Sequence, residues 1–184
     1  MAGDRYVIVN QHDIYFLTFT VVEWLDVFTR KDYKCIITDA LNYCVKEKGL
    51  ECFAWVLMSN HMHLVARTNP PFTMSGLIRD FKKFTSKKIV DTIQVIPESR
   101  KALLMHKFEH ASHSTSRAEH YKFWQDSSHP ICVEGNAEWF RQRIGYTHQN
   151  PVRQMIVSKA DDYLYSSACD YAGMQGLVKV TVAF

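Results

Sequence analysis

Three apolar segments in the first half of the chain predict β-strands. Residues 14–22 (Ile-Tyr-Phe-Leu-Thr-Phe-Thr-Val-Val) are rich in aromatic and β-branched side chains, with threonines in alternation. Residues 52–58 and 61–68 are similar runs that flank Ser59 and Asn60, a pair suited to a tight turn. We therefore predict one strand followed later in the chain by a β-hairpin.

A repeat of apolar positions every 3.6 residues predicts two amphipathic helices. The first runs from about residue 31 to residue 48, where Gly49 ends it. The second follows Pro70 and Pro71 and covers about residues 74–88, with basic side chains on its other face. The two helices alternate with the predicted strands along the chain.

The second half of the chain predicts one more strand and one more amphipathic helix. Residues 121–133 have strand-forming composition on either side of a break. Asn136 is suited to cap a third helix, which Pro151 ends or kinks. A short helix is expected after it, over residues 152–157.

The predicted order β-α-β-β-α-β-α is that of a ferredoxin-like α+β sandwich, an antiparallel four-stranded sheet with helices packed mainly on one face. Periodicity fails over residues 92–120, where we expect a loop or an insertion, and the tail over residues 161–184 has no clear period. The length of 184 residues predicts a single domain, with its core over about residues 10–160.

Composition excludes several classes of protein. The net charge of +3 is not that of a polycation, and the five cysteines include no C-x-x-C pair and leave one over. No apolar stretch approaches the roughly 18 residues that span a bilayer, and the N-terminal residues do not have the pattern of a signal peptide. We therefore expect a soluble cytoplasmic protein with no membrane partner.

The first candidate for chemistry is the H-x-H sequence at His61 and His63. Side chains two apart in a strand point to the same face, so both imidazoles can bind one metal ion while Met62 and Leu64 face the other way. Isolated H-x-H sequences are more often partly exposed strand histidines, so this motif needs support from elsewhere in the chain.

A second candidate is the pair Tyr146 and Asn150, which lie four apart and hence on one helical face. A phenol and an amide could there approach a phosphate side by side. The alternatives are that Asn150 caps a helix begun by Pro151, and that Tyr146 is an ordinary tyrosine at the edge of the core.

Four motifs in order resemble the single-tyrosine HUH transposases, and most of all the branch of REP-associated tyrosine transposases. The motifs are Trp55 to Val65, Phe81 to Thr85, Phe123 to Gln125, and Tyr146 to Arg153. The resemblance covers nearly all of residues 10–170, and the ordered set is far more specific than any one motif.

The resemblance implies a role for each candidate. His61 and His63 correspond to the metal pair, and Tyr146 corresponds to the nucleophile. Asn150 falls where relatives complete the metal site, although transposases of the insertion-sequence branch usually carry glutamine there. His148, near the same helix end, is an alternative ligand.

The activity implied by the family is cleavage and rejoining of single-stranded DNA near hairpins through a 5′-phosphotyrosine. The implied cofactor is Mg²⁺ or Mn²⁺. Two imidazoles and an amide suit Mg²⁺ poorly, so we expect phosphate and water to complete its shell and Mn²⁺ to serve at least as well. The implied location is the cytoplasm, in association with the nucleoid. A monomer and a homodimer with exchanged tyrosine helices both stay open.

Basic side chains supply candidate DNA contacts, although a run of charge on a helix is more often a solvated face. The candidates are Arg79, Lys82, Lys83 and Lys87 on the second helix, and Arg143 and Arg153 near the tyrosine. Two other functions compete with the transposase. One is an inactive, domesticated module that binds hairpin DNA, and the other is a small metal-dependent phosphoesterase that uses water.

Overall fold

One antiparallel sheet organises the part of the chain that the computed structural model describes, residues 7–113 and 120–184. Its strand order is β2-β3-β1-β4. The strands are β1 (Tyr15–Thr20), β2 (Leu50–Leu57), β3 (His61–Thr68) and β4 (Ile131–Cys132). This order, with every neighbouring pair antiparallel, is that of a ferredoxin-like sandwich, so the predicted α+β fold is confirmed.

Five α-helices surround the sheet within the described residues. They are α1 (Lys31–Glu47), α2 (Met74–Val95), α3 (Lys101–Ser112), α4 (Ala137–Arg153) and α5 (Ala168–Tyr171). The bounds predicted for α1 and for β3 agree with the structure to within a residue. None of these helices combines the length and the apolar surface of a membrane-spanning segment.

The alternation of side chains along β1 divides the core into two layers. Leu17 and Phe19 point to the larger layer, which α1 and α2 cover. Phe16 points the other way, where it joins Val65 of β3 and Ile144 of α4 in a second apolar cluster. Most helices therefore lie on one face, as predicted, and α4 alone among the long helices covers the face that carries His61 and His63.

The segment 92–120, expected to be a loop or an insertion, contains the last turn of α2 and the whole of α3. Leu104 and Phe108, one helical turn apart, bury their side chains in the core and anchor α3. Since polar and charged residues occupy most other positions of this helix, its apolar stripe is too narrow to stand out in the sequence. Residues 114–119 of the same segment lie outside the described residues.

The expectation that Pro151 ends the helix is wrong, because α4 continues through this residue to Arg153. In the last turn of a helix proline removes only its own hydrogen bond, which the helix tolerates there. Asn150 is therefore an interior helical residue and does not cap a helix begun by Pro151. The chain turns after α4, where Met155 has a φ of 55°, so the helix expected over residues 152–157 is also wrong.

The predicted fourth strand is interrupted, as its sequence indicated. Ile131 and Cys132 pair with β1, while Trp124 forms a separate bridge with Val21. The tail covers the outer edge of β2, where Ser166 bridges Val56. An exposed strand edge would present unpaired backbone groups, so this part of the tail completes the sheet.

Gly49, which ends α1 as predicted, offers a test of this fold. Its φ is +62°, and a Cβ there would lie 2.7 Å from Cδ2 of Phe72 and 2.9 Å from the carbonyl oxygen of Asn69. We expect Gly49→Ala to lower the free energy of unfolding, measured in urea, by about 2–3 kcal/mol, through both strain and overlap.

Gly135→Ala is the matched control, because Gly135 has a φ of +73° but no atom within 4 Å of the added Cβ. This variant should lose only about 1 kcal/mol, from backbone strain alone. Equal losses in the two variants would contradict the close approach of Phe72 and Asn69 to Gly49.

Candidate active site

The two histidines of β3 form the centre of the site. His61 and His63 lie on the same face of the strand, as their spacing predicted, with ring centroids 4.8 Å apart and planes at 69°. Only 6% of His63 is exposed, whereas His61 is half-buried. The two imidazoles are close enough to bind a common ion.

The ring of His61 is oriented by the turn that precedes β3. Its Nδ1 lies 2.7 Å from Oδ1 of Asn60, while Nδ2 of Asn60 donates to Oδ1 of Asp26 at 3.1 Å. Because the Asn60 amide nitrogen serves as the donor to Asp26, its oxygen is the acceptor towards His61. The proton of His61 is thereby assigned to Nδ1, and the lone pair on Nε2 is available to a metal.

The ring of His63 is held from the neighbouring strand. Thr18 of β1 is directly opposite His63 in the sheet, and its Oγ1 lies 3.0 Å from Nδ1. Phe16 stacks on the imidazole with ring centroids 5.1 Å apart and planes at 25°. Nε2 is again the ring nitrogen left for another partner.

Burial keeps both imidazoles neutral. It lowers the pKa of His63 to about 3, and the positive charge of Arg143, and of His61 when that ring is protonated, acts in the same direction. Burial also lowers the pKa of His61. Since a proton does not compete for the lone pairs at neutral pH, the pair is suited to bind a metal ion.

Helix α4, which packs on this face of the sheet, carries a stripe of four polar side chains. Arg143, Tyr146, Asn150 and Arg153 follow one another at intervals of three or four residues, so they share one helical face. The Tyr146 ring lies edge-on to His63 at 5.3 Å and to Phe16 at 5.8 Å. Its hydroxyl has no hydrogen-bond partner among residues 7–113 and 120–184, which leaves the oxygen available to a substrate.

Two guanidinium groups flank the tyrosine. Cζ of Arg153 lies 5.1 Å from the centroid of the Tyr146 ring, and Cζ of Arg143 lies 4.9 Å from that of Phe16. Both contacts leave the five guanidinium donors at the edges of the groups, where phosphate oxygens bind. The sequence prediction that these arginines lie near Tyr146 agrees with the structure.

Asn150 is the third residue expected at the metal. Only 6% of it is exposed, and its side-chain amide makes no hydrogen bond within the described residues. Those residues also contain no group of three or more histidine, cysteine or acidic side chains placed to hold an ion. Two imidazoles with one amide would leave coordination positions for phosphate and water, so the donor set fits a metal that acts on a phosphodiester.

His148, the alternative ligand, has other partners. Its Nε2 lies 2.9 Å from Oγ of Ser167, and its ring is edge-on to Tyr171 at 4.8 Å. Burial lowers its pKa to about 4. The structure thus gives His148 a place between α4 and the C-terminal tail, and metal binding by His148 or by Asn150 stays a prediction.

The basic residues of α2 are not brought to the histidine pair, because α2 covers the opposite face of the sheet. Arg79, Lys83 and Lys87 are exposed there. Arg79 is paired with Asp80 at 3.0 Å and Lys87 with Asp91 at 2.9 Å. Their contact with DNA stays a prediction for a surface distant from the site.

Lys82 has a different environment from its neighbours on α2. Its Nζ donates to the carbonyl oxygens of Gln125 at 2.8 Å and Asp126 at 2.9 Å, and burial lowers its pKa to about 8. The ammonium thus ties α2 to the segment that follows Trp124. A DNA contact by Lys82 stays a prediction that this bonding does not favour.

Sequence reasoning missed the residues that orient the histidines. Asn60 was interpreted only as a turn residue and Thr18 only as part of a strand pattern. Thr18 faces His63 because of the register between β1 and β3, which single-strand periodicity does not reveal. Trp24, exposed beside His61 with ring centroids 6.0 Å apart, was missed because it lies in an irregular turn.

Comparisons with known proteins relate the chain to a family and to a solved structure. Residues 14–123 match the family model described as IS200-like transposase. Among solved structures, the chain is similar to a REP-associated tyrosine transposase bound to a REP hairpin, with a TM-score of 0.64 and 16% sequence identity. The match covers 100% of this chain and 95% of that one. No curated protein matches the chain.

The bonding of Lys82 predicts that its main contribution is to stability. Lys82→Met should lower the free energy of unfolding by about 2 kcal/mol, because a charged donor to two carbonyls is lost. Lys83→Met, at the adjacent exposed position, should leave it unchanged within about 0.5 kcal/mol. Normal stability of Lys82→Met together with weakened DNA binding would contradict this interpretation and favour the phosphate contact.

The orientation of His61 by Asn60 predicts an effect on metal affinity. Asn60→Ala should weaken Mn²⁺ binding, measured by calorimetry, about 10- to 100-fold, because the imidazole loses the acceptor that fixes its tautomer. Asn42→Ala is the control, since Asn42 also makes two side-chain hydrogen bonds but binds the tail at Leu177 and Lys179. Unchanged affinity in Asn60→Ala would contradict the orienting role.

Proposed function

The chain belongs to the IS200-like transposase family, the single-tyrosine HUH transposases, and on that premise we propose that it cleaves and rejoins single-stranded DNA near hairpins. Tyr146 is the proposed nucleophile, and the intermediate is a 5′-phosphotyrosine. The observation that carries this proposal is the contact between the Tyr146 ring and the neutral His63 within one chain.

The proposed reaction is an exchange of one phosphodiester for another. The phenol oxygen of Tyr146 bonds to the scissile phosphorus, and the bond from phosphorus to the 3′-oxygen breaks. The phenol loses its proton and the departing 3′-oxygen gains one, so the number of protons is unchanged. Rejoining reverses these steps with a 3′-hydroxyl of DNA as the attacking group.

His61, His63 and Asn150 are the proposed ligands of Mg²⁺ or Mn²⁺. A bound ion supplies Lewis-acid polarisation of a phosphate oxygen. The protein's part is to hold two neutral imidazoles in place, through Asn60 at His61 and Thr18 at His63. This donor set favours Mn²⁺ at least as much as Mg²⁺, since manganese accepts nitrogen ligands more readily.

Arg143 and Arg153 are the proposed phosphate-binding residues of the site. They lie on either side of Tyr146 along α4, so a phosphate that reaches the phenol oxygen passes between two fixed positive charges. Arginine remains protonated throughout and is therefore a binding group rather than a proton acceptor. Their role is to hold the scissile phosphate against the tyrosine.

The proposed partner is hairpin-forming single-stranded DNA. The similar solved structure is described as bound to a REP hairpin, and action on chromosomal hairpins would fit the cytoplasmic, nucleoid-associated location expected from the sequence. Packing of α4 on its own chain's sheet supports a site completed by a single chain. The exchange of tyrosine helices in a homodimer stays a prediction for solution measurements.

Tyr146→Phe tests the mechanism directly. Incubated with labelled hairpin DNA and Mn²⁺, the wild-type protein should form an adduct that survives boiling in detergent, and the variant should form none. DNA binding should be equal in the two proteins, because only the nucleophilic oxygen is removed. Tyr43→Phe, an exposed tyrosine of α1 on the other face of the sheet, should behave as the wild type.

Two results would favour the competing functions. Cleavage that leaves no adduct and persists in Tyr146→Phe would indicate a phosphoesterase that uses water. Tight hairpin binding by a wild-type protein that cleaves none of a diverse hairpin pool would indicate an inactive binding module.

A further inference from the structure

An exposed tryptophan lies at the edge of the histidine pair. Trp24 belongs to a 3-10 turn, Val22–Trp24, that directly follows β1, and 58% of it is exposed. Its indole is edge-on to His61, with ring centroids 6.0 Å apart and planes at 68°. A large aromatic surface is therefore open to solvent beside a proposed metal ligand.

The backbone at this turn does not favour an aromatic side chain. Glu23 has a φ of 52° and Trp24 a φ of 55°, in the left-handed region that glycine and asparagine adopt most readily. Two successive residues in this conformation are strained, and strained backbone is concentrated at functional sites. The indole thus occupies a position that local preferences alone would assign to a smaller residue.

Contacts from two sides hold the turn in place. Oε2 of Glu23 forms an ion pair with Nζ of Lys107 in α3 at 2.7 Å. Nδ2 of Asn60 donates to the carbonyl oxygen of Trp24 at 3.3 Å. Since the oxygen of the same Asn60 amide accepts from His61, the tryptophan and the histidine are positioned by one side chain.

We propose that Trp24 is a stacking platform for a base of the single-stranded DNA next to the scissile phosphate. This proposal rests on the proposed function. An indole face stacks on any nucleobase and is well suited to single strands, whose bases are unpaired. A base on Trp24 would set the distance of its own phosphate from His61, so the platform would position the substrate for Tyr146.

The proposal commits to a nucleic-acid base rather than a protein partner because of the positive charge on the α4 side of the histidine pair. Arg143 and Arg153 carry this charge, and each packs on an aromatic ring, Arg143 on Phe16 and Arg153 on Tyr146. A phosphate backbone is attracted to such a surface. The combination of cationic groups and an exposed aromatic ring is that of single-strand binding sites.

The test compares Trp24→Ala and Trp24→Gly with a matched control. Glycine adopts the φ of 55° without strain, so Trp24→Gly removes the indole while it preserves the turn. Trp139→Ala is the control, because Trp139 is 51% exposed on α4 and, within the described residues, its ring does not contact His61 or His63. The probe is the hairpin oligonucleotide that the wild-type protein cleaves fastest, together with versions that carry one abasic site.

We expect both Trp24 variants to bind the intact oligonucleotide about 10- to 100-fold more weakly, the range for loss of one stacked base, while Trp139→Ala binds as the wild type. Binding is measured by fluorescence anisotropy in the Tyr146→Phe background, where the DNA stays uncleaved. One of the abasic oligonucleotides should lack the base that stacks on Trp24. The protein that retains Trp24 should bind this oligonucleotide about 10- to 100-fold more weakly than the intact one, and the Trp24 variants should bind it as strongly as that protein does. If Trp24 only stabilised the turn, its variants would bind DNA more weakly than the protein with Trp24 whichever base was missing.

Three results would overturn the proposal. The first is that the Trp24 variants bind the intact oligonucleotide as tightly as the Trp139→Ala control. The second is that the Trp24 variants bind every abasic oligonucleotide more weakly than the protein with Trp24 does. In either case adduct formation by the wild type would leave the transposase function intact. A wild-type protein that neither binds nor cleaves single-stranded hairpin DNA would overturn the proposed function and the stacking platform together.

Discussion

The packing of α4 on the second face of the sheet is the contact on which the site depends. Ile144 of the helix is buried against Phe16 and Val65, and Phe140 is edge-on to Phe53 at 5.2 Å. Burial of a side chain such as Ile144 contributes about 2 kcal/mol. This contact holds Tyr146 over His63 and removes water from the imidazole, which lowers the pKa of His63 to about 3. One apolar interface therefore determines both the position of Tyr146, the proposed nucleophile, and the protonation state of His63.

The site combines neutral donors with fixed positive charge. Both imidazoles lack a proton at neutral pH, and Arg143 and Arg153 are the charged groups on the α4 stripe. Such a surface attracts anions, and in the proposed function a DNA phosphate supplies the charge that balances it. The same two arginines pack on aromatic rings, which restricts their movement and reduces the entropy lost when a phosphate binds.

Asn60 connects the centre of the site with its surroundings. Its amide orients His61, holds the carbonyl of Trp24 and bonds to Asp26. Arg100, which precedes α3, donates to the carbonyl of Asp26 at 2.7 Å. The start of α3, a helix that the sequence did not predict, therefore supports the turn beside the histidine pair. The segment expected to be a loop or an insertion belongs to the architecture of the site.

The sequence by itself determined the fold class and the chemical groups of the site. The sequence pattern predicted β1, the β2–β3 hairpin, α1, α2 and α4, because each strand is a short run of apolar and β-branched residues and each helix buries one apolar stripe. His61 and His63 lie two residues apart in a strand, so they share one face of it. Tyr146 and Asn150 lie four apart in a helix, so they share one helical face. These properties are local, so a single sequence contains them.

Only the tertiary structure decided how these local elements meet. The register of β1 with β3 places Thr18 against His63, and the fold divides the basic residues, with Arg143 and Arg153 beside Tyr146 but Lys83 and Lys87 on the opposite face. In the sequence Lys82 is one of several basic residues of α2, and only the structure shows that it donates to the carbonyl oxygens of Gln125 and Asp126. Register, helix placement and long-range hydrogen bonds depend on contacts between residues far apart in the chain, which periodicity within one segment does not encode.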